Sequence, residues 1–139
     1  MATFQKFNQF VEDLAKGVHN LSTGQLKVAL TNTAPVAANS VYADLTSPLA
    51  TTNLSGATPF NVTTTSCEQT SGPLTLVLVD LTLTATGAVG PFRYVVLYND
   101  TPSSPADPLI GFWDYASEVT MANTETFLID FAATTISLS

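Results

Sequence analysis

Apolar residues in the first part of the chain recur at alternating steps of three and four positions. The residues on this stripe are Phe4, Phe7, Val11, Leu14, Val18 and Leu21. Steps of this size place side chains on one side of an α-helix, and Glu12 and Lys16 fall on the opposite side as a favourable ion pair. The pattern predicts an amphipathic helix over residues 1–22.

The apolar stripe of this predicted helix has two explanations. The simpler one is that the helix packs on a sheet of its own chain. However, the average spacing of about 3.5 residues is also that of a coiled-coil seam, which would join the helix to another subunit. On that second explanation, the candidate interface residues are Phe4, Phe7, Val11 and Leu14.

From residue 25 onward the apolar period changes to two. Leu26, Val28 and Leu30 alternate with their neighbours, which predicts a first strand and turn over residues 25–35. Residues 36–71 have little periodicity and predict a long connection, with a helical turn near 41–45 and a strand near 60–65. A connection of that length is usually functional, and here it would be an arm or an interface loop.

Residues 72–139 predict an antiparallel β core. The apolar face changes sides near Asp80, as a bulge or bend would cause, and Gly90-Pro91 predicts a break before the next strand. Further strands are predicted over residues 92–98, 109–115, 126–131 and 135–138. The whole chain, 1–139, is therefore predicted to be one mainly β (α+β) domain, with the N-terminal helix followed by an antiparallel β-sandwich or barrel-like fold.

Aromatic residues are concentrated in two of these neighbouring predicted strands. They are Phe92, Tyr94, Tyr98, Phe112, Trp113 and Tyr115. Packing in the core and across strands is the simpler explanation. The alternative is an exposed patch that contacts a partner or a sugar, and Trp113 is the candidate interface residue on that explanation.

Charge is scarce and one-sided. Only 11% of the 139 residues are charged, less than half of the roughly 25% found in typical soluble domains. Threonine and serine fill many of the remaining polar positions, and hydroxyl groups cost less to desolvate against a partner than ions do. The formal net charge of −7 disfavours nucleic acid as a partner.

The sequence predicts no targeting to or through a membrane. No apolar run approaches the roughly 20 residues of a membrane span. The first residues lack the charged segment and apolar run of a signal peptide. A membrane is therefore not an expected partner.

Residues capable of catalysis are few and scattered. With one histidine, His19, and one cysteine, Cys67, a multi-histidine metal site is impossible and a Cys-His nucleophile would need exactly that pair. His19 is more simply explained by its place near the predicted helix end, where the helix dipole favours it. The aspartates are explained by their contributions to solubility and to turn formation. No catalytic, cofactor-binding or metal-binding residue is predicted, and the chain is not expected to be an enzyme.

Four segments of the chain resemble a group of small virion proteins of tailed bacteriophages. They are the N-terminal segment ending in Val18-His19-Asn20-Leu21, the run from Leu26 to Pro35, the run from Gly90 to Asp100, and the run from Pro108 to Tyr115. The resemblance implies a non-enzymatic structural protein, most like a capsid cement or decoration protein.

The resemblance also implies partners and a location. Cement proteins sit on the outer surface of the capsid, commonly as homotrimers, and bind the major capsid protein so that neighbouring subunits resist internal pressure. The expected partners are therefore other copies of this chain and the major capsid protein. The alternative within the same group is a tail or fibre component that contacts the host surface.

Overall fold

The computed structural model describes residues 3–131 and 136–138. Its helical elements are α1 (Asn8–Ala15) and a short 3-10 turn (Tyr42–Asp44). Its strands are β1 (Phe4–Lys6), β2 (Leu26–Thr31), β3 (Asn61–Val62), β4 (Thr64–Gln69), β5 (Leu74–Leu78), β6 (Leu81–Thr84), β7 (Val89–Asn99), β8 (Leu109–Met121), β9 (Thr126–Ile129) and β10 (Ile136–Leu138). All the strand pairs in these residues are antiparallel, which confirms the predicted mainly β class with antiparallel sheets.

The largest sheet has the strand order β1-β8-β7-β2-β3, with β7 at its centre. Both faces of β7 are buried, because Val95 and Leu97 belong to one apolar cluster while Val96 and Tyr98 belong to another. Burial on both faces explains why β7 is almost continuously apolar, since neither face has to be wetted by solvent.

Two smaller sheets, β10-β5-β4 and β6-β9, complete the fold. The chain passes directly from the large sheet to the first small sheet at Thr63, between β3 and β4, and from the first to the second at Val79 and Asp80. These two backbone crossings lie side by side, because the Val79 amide donates a hydrogen bond to the Thr63 carbonyl at 2.9 Å. The change of apolar face predicted near Asp80 is thus a change of sheet.

The prediction of a helix over residues 1–22 is wrong at both ends. Phe4 lies in a strand opposite Trp113, and the ring of Phe4 covers Gly111, which has no side chain to oppose it. The helix ends at Ala15, followed by Gly17 at a φ of 77°. Pairing with the edge of β8 therefore prevails over the helical spacing, as tertiary context commonly does.

The helix that does form is not clearly amphipathic. Val11, which was predicted on the apolar stripe, is 46% exposed, whereas the acidic residue Asp13 is only 5% exposed. The buried residues of α1 are Phe10 and Asp13. The side of α1 that is buried therefore differs from the predicted side. The chain before Asn8 is a strand, and the direction in which this strand enters α1 decides which helical side chains face the core.

The second half also differs from the prediction, because β8 extends to Met121 and does not end at residue 115. Gly90-Pro91 does not break the strand, because β7 begins at Val89 and continues through it with register shifts against β8. A bulge accommodates proline, which cannot donate to the ladder. Of the predicted strand 135–138, residue 135 lies outside the described residues, and Ile136–Leu138 is β10.

Candidate functional site

The structure separates the five candidate interface residues. Phe7 is fully buried and Trp113 is 3% exposed, so both belong to the interior of the monomer. Phe4 and Leu14 are half-buried against the same apolar cluster as Trp113. Val11 alone among the five is well exposed, and it is the one member of the predicted stripe that offers its side chain to another subunit.

The aromatic residues of β7 and β8 form core and not a displayed patch. Phe92, Tyr94, Tyr98, Phe112 and Trp113 are all buried, and Tyr115 is half-buried. They pack on one another and on neighbouring rings, for example Trp113 on Phe131 with ring centroids 5.6 Å apart. The core explanation of these residues is therefore correct.

Within residues 3–131 and 136–138, no group of three or more His, Cys, Asp or Glu side chains is placed to hold a metal ion. Burial raises the pKa of the Cys67 thiol, which keeps it protonated at neutral pH. In the same residues, no helix is long and apolar enough to cross a membrane.

A groove of about 350 Å³ lies at the surface of the described chain. We call it the tyrosine groove. Its lining residues are Lys27, Tyr42, Leu49, Ala50, Thr51, Ala57, Thr58, Pro59, Phe60, Asn61 and Tyr98. Its volume is within the range of about 300–1,000 Å³ that is usual for small-molecule sites.

Two tyrosines form one wall of the tyrosine groove. The rings of Tyr42 and Tyr98 pack at 5.0 Å between centroids. Burial raises the pKa of Tyr98 strongly, with smaller contributions from Tyr42, Asp100 and Asp107, and burial likewise raises the pKa of Tyr42. Both hydroxyls consequently stay protonated throughout the physiological range, and each can donate as well as accept a hydrogen bond.

A charged network lies beside these tyrosines. Lys27 Nζ pairs with Asp100 Oδ2 at 3.2 Å. Burial, followed by a hydrogen bond with Asp100, raises the pKa of Asp107. The Tyr42 amide also donates to the Asp107 carbonyl at 2.9 Å. These contacts hold the loop after β7 against the 3-10 turn and fix the position of the tyrosine wall.

Sequence reasoning did not find the tyrosine groove. Its residues come from β2, the 3-10 turn, the connection 49–61 and β7, which are far apart in sequence. No local motif joins them. The one signal available was the length of the connection, which indicated a functional segment without saying which residues it would meet.

His19 lies in the interior and not at a helix end. It is 6% exposed, its ring packs edge-on against Phe10 with centroids 5.3 Å apart, and its Nδ1 lies 3.3 Å from Asn99 Nδ2. Burial lowers the pKa of His19 below its ordinary value of 6.5, although Asp13 acts in the opposite direction. The expectation of a helix-dipole role is wrong, because α1 ends at Ala15.

We expect a loss of stability as pH falls through the folded-state pKa of His19. The unfolded chain binds the proton more readily than the folded chain, so the free energy of unfolding is highest above about pH 6.5 and decreases below it. Urea unfolding at pH 7.5 and pH 5 measures this difference. In His19→Gln, the decrease in the free energy of unfolding between pH 7.5 and pH 5 should be smaller. The decrease that remains comes from Glu12, Asp44 and Asp114, whose lowered pKa values place their titration at lower pH. If the free energy of unfolding depends on pH in the variant as it does in the unaltered protein, the assignment of this pH dependence to His19 is disproved.

The exposed surface is rich in hydroxyl groups and carries few free cations. Exposed threonines and serines outnumber exposed charged residues in the described chain. Lys16, Lys27 and Arg93 are each paired with a carboxylate of the same chain, at 2.6, 3.2 and 2.7 Å respectively. Lys6 is the one basic residue without an ion pair in the described residues, so the outward field is negative.

The edge of the first small sheet is formed by a hydroxyl-rich strand. β4, with the sequence Thr-Thr-Ser-Cys-Glu-Gln, pairs with β5 on one side and lies at the end of the strand order. Its residues are half-buried or exposed. An edge strand of this kind can accept a further strand through backbone hydrogen bonds.

Comparisons with known proteins give this chain no relative. None of the family models, curated proteins or solved structures compared with it matches.

Proposed function

We propose that this protein is a non-enzymatic structural component of a tailed-phage particle, and most specifically a capsid cement or decoration protein. In this proposal it sits on the outer surface of the head as a homo-oligomer, a trimer, and binds the major capsid protein. The observation that supports the proposal best is the character of the exposed surface, which is acidic, poor in charge and rich in hydroxyls.

Such a surface suits repeated protein contacts. Hydroxyl groups lose less hydration energy than ions when a partner covers them, and they still form directional hydrogen bonds. Many weak contacts repeated by symmetry add up to firm attachment through avidity. A negative outward field also favours the outside of a container whose interior holds polyanionic DNA.

Packing of the three sheets as a β-sandwich belongs to the same proposal. One apolar cluster takes Leu26 and Val28 from the large sheet, Leu76 and Leu78 from the first small sheet, and Leu83 and Ile129 from the second. A shared core of this kind is what joins facing sheets in sandwiches. It leaves the strand edges and loops for contact with partners.

Binding to expanded capsids that lack the protein tests the proposed function. Purified protein is added to such capsids, and the bound copies are counted by mass spectrometry and located by cryo-electron microscopy. We expect saturation at hundreds of copies, in multiples set by the local symmetry of the shell. An absence of binding, together with only a few copies on native particles, would refute the cement assignment.

Disruption of the β4 edge should weaken oligomer formation. Thr65→Lys places a charge on an exposed side chain of this strand, and edge lysines oppose strand addition. We expect at least a tenfold loss of self-association by analytical ultracentrifugation, with an unchanged melting temperature. The matched control is Thr33→Lys, at an exposed threonine outside any strand. Equal effects of the two variants would exclude the β4 edge as the contact.

The second candidate function is a tail or fibre component that contacts the host surface. The tyrosine groove favours it, since the groove is a concavity with polar and aromatic walls. The role proposed for Trp113 in such contact is not retained, because its side chain is 3% exposed. Copy number separates the two functions: a tail component is present in a few to a few tens of copies per particle.

A further inference from the structure

The tyrosine groove holds hydrogen-bonding groups that the rest of the chain does not use. Tyr98 is only 9% exposed, yet its hydroxyl has no hydrogen-bond partner among the described residues. The Tyr98 hydroxyl is not sealed from solvent, and the concavity that Tyr98 lines is the groove. An unpaired hydroxyl on a side chain that lines a groove is available to bind a ligand there.

Neighbouring groups extend this unused capacity. The exposed Thr51 and Thr58 hydroxyls line the groove and make no hydrogen bond in the described residues. Asn61 also lines the groove, but its unpaired side-chain oxygen is enclosed and out of reach of a ligand. Unpaired polar groups around one concavity indicate that solvent or a ligand completes their hydrogen bonds.

Apolar surfaces alternate with these polar groups. Phe60, Pro59 and Leu49 are half-buried in the groove wall and present apolar area to its interior. The Tyr42 ring, half-buried against Tyr98, adds an aromatic face. A ligand that fits must therefore combine apolar faces with several hydroxyl groups.

The local charge disfavours anionic ligands. The only cation lining the groove, Lys27, is held by Asp100, and Asp107 lies beside that pair. An anion would meet these carboxylates and the net charge of −7. A neutral ligand avoids that repulsion, and it suits the uncharged hydroxyl and aromatic groups of the groove wall.

We propose that the tyrosine groove binds a neutral carbohydrate, with a sugar ring against the Tyr42 and Phe60 side chains and its hydroxyls hydrogen-bonded to Tyr98, Thr58 and Lys27. This site is independent of the proposed attachment to a shell. It gives the particle surface a second capacity, which is weak and reversible adhesion to glycans.

Titration with simple glycosides tests this site. The isotope-labelled protein is titrated with methyl glycosides of glucose, galactose, mannose and N-acetylglucosamine while amide resonances are followed by NMR. We expect saturable shifts of amides that line the groove for at least one glycoside, with affinity of about millimolar strength. Tyr98→Phe removes a single hydroxyl and should weaken that binding about 3- to 10-fold.

The matched control is Tyr94→Phe, because Tyr94 is equally buried on the same strand and does not line the groove. This control should leave glycoside affinity unchanged. Absence of saturable shifts with all four glycosides, shifts confined to another surface, or equal losses in the two variants would overturn the proposal. If Tyr98→Phe instead impairs only capsid binding, the groove is a protein contact and the carbohydrate assignment falls, while the proposed shell attachment stands.

Discussion

Replacing Phe7 by aspartate is expected to unfold the protein, whereas replacing Val11 by aspartate leaves the fold intact. Phe7 is fully buried beside Phe112, with ring centroids 5.2 Å apart, while Val11 is 46% exposed. Removing a buried phenylalanine costs about 3–5 kcal/mol, and an unpaired buried carboxylate adds to that loss. The total approaches the whole stability of a domain, which is about 5–15 kcal/mol. Circular dichroism with urea unfolding measures both variants.

The same pair of variants tests the helix as a contact between subunits. If Val11→Asp folds normally but no longer forms oligomers, the exposed side of α1 is part of the interface. If Val11→Asp forms oligomers like the unaltered protein, contact through α1 is excluded. Val11→Ser is the control, since it removes apolar area without adding charge. A folded and stable Phe7→Asp protein would contradict the described core.

Gly111→Ala is expected to release β1 from the edge of the large sheet. A Cβ atom at residue 111 would overlap the Phe4 ring and approach the Gln5 carbonyl oxygen at 2.7 Å. Because a backbone oxygen cannot swing away as a side chain can, the strand itself must shift. We expect destabilisation of about 1–3 kcal/mol, together with faster hydrogen exchange of the β1 amides and a more exposed Trp113 by fluorescence.

A double-mutant cycle with Phe4→Ala identifies the cause. Without the Phe4 ring, the added methyl group meets only the Gln5 backbone, so the destabilisation by Gly111→Ala should fall by about 1 kcal/mol or more. The Phe4 ring also packs on Trp113 at 5.2 Å, so Phe4→Ala alone should destabilise the protein. Strict additivity of the two changes would show that the ring does not occupy the space above Gly111.

Strand β2 and the loop after β7 were predictable because their signals are local. Alternation at Leu26, Val28 and Leu30 and the turn residues after Asn99 depend on near neighbours, and the structure has β2 and a loop at those positions. The face change at Asp80 was also visible, since a reversal of parity requires some break in the strand. These features do not depend on which strand lies beside which.

The prediction of a helix over residues 1–22 was wrong because the residue that accommodates Phe4 in a strand is remote in sequence. Nothing near Phe4 in sequence shows that Gly111 leaves a vacant place for its ring. Once β1 pairs with β8, the chain enters α1 at Asn8 in a register that buries Asp13 and exposes Val11. A spacing of three and four is compatible with a helix but does not require one when a sheet edge competes.

The candidate site was less predictable than the fold. Four of the five proposed interface residues are large apolar side chains that the monomer wholly or partly covers, because apolar size indicates core as readily as contact. The tyrosine groove depends on Tyr98 lying against Tyr42, which only the folded chain brings together. The sequence shows that both tyrosines are present, but it does not show that their rings contact each other.

Three of the four segments on which the expected phage resemblance rests lie in the large sheet. The run from Leu26 to Pro35 contains β2, the run from Gly90 to Asp100 contains nearly all of β7, and the run from Pro108 to Tyr115 contains the first half of β8. These strands are neighbours in the strand order. That expectation therefore draws on residues that build the interior more than on residues that would meet a partner.

The adjacent crossings at Thr63 and at Val79 and Asp80 have a mechanical consequence. Force applied to the β4 edge passes along the peptide backbone into β3 and the large sheet, and force on β5 passes in the same way into β6. Sliding of the small sheets past the large one would thus have to break the hydrogen bond between the Val79 amide and the Thr63 carbonyl as well as the packing between the sheets. In the proposed role as a cement protein, such adjacent crossings would oppose shear between the sheets.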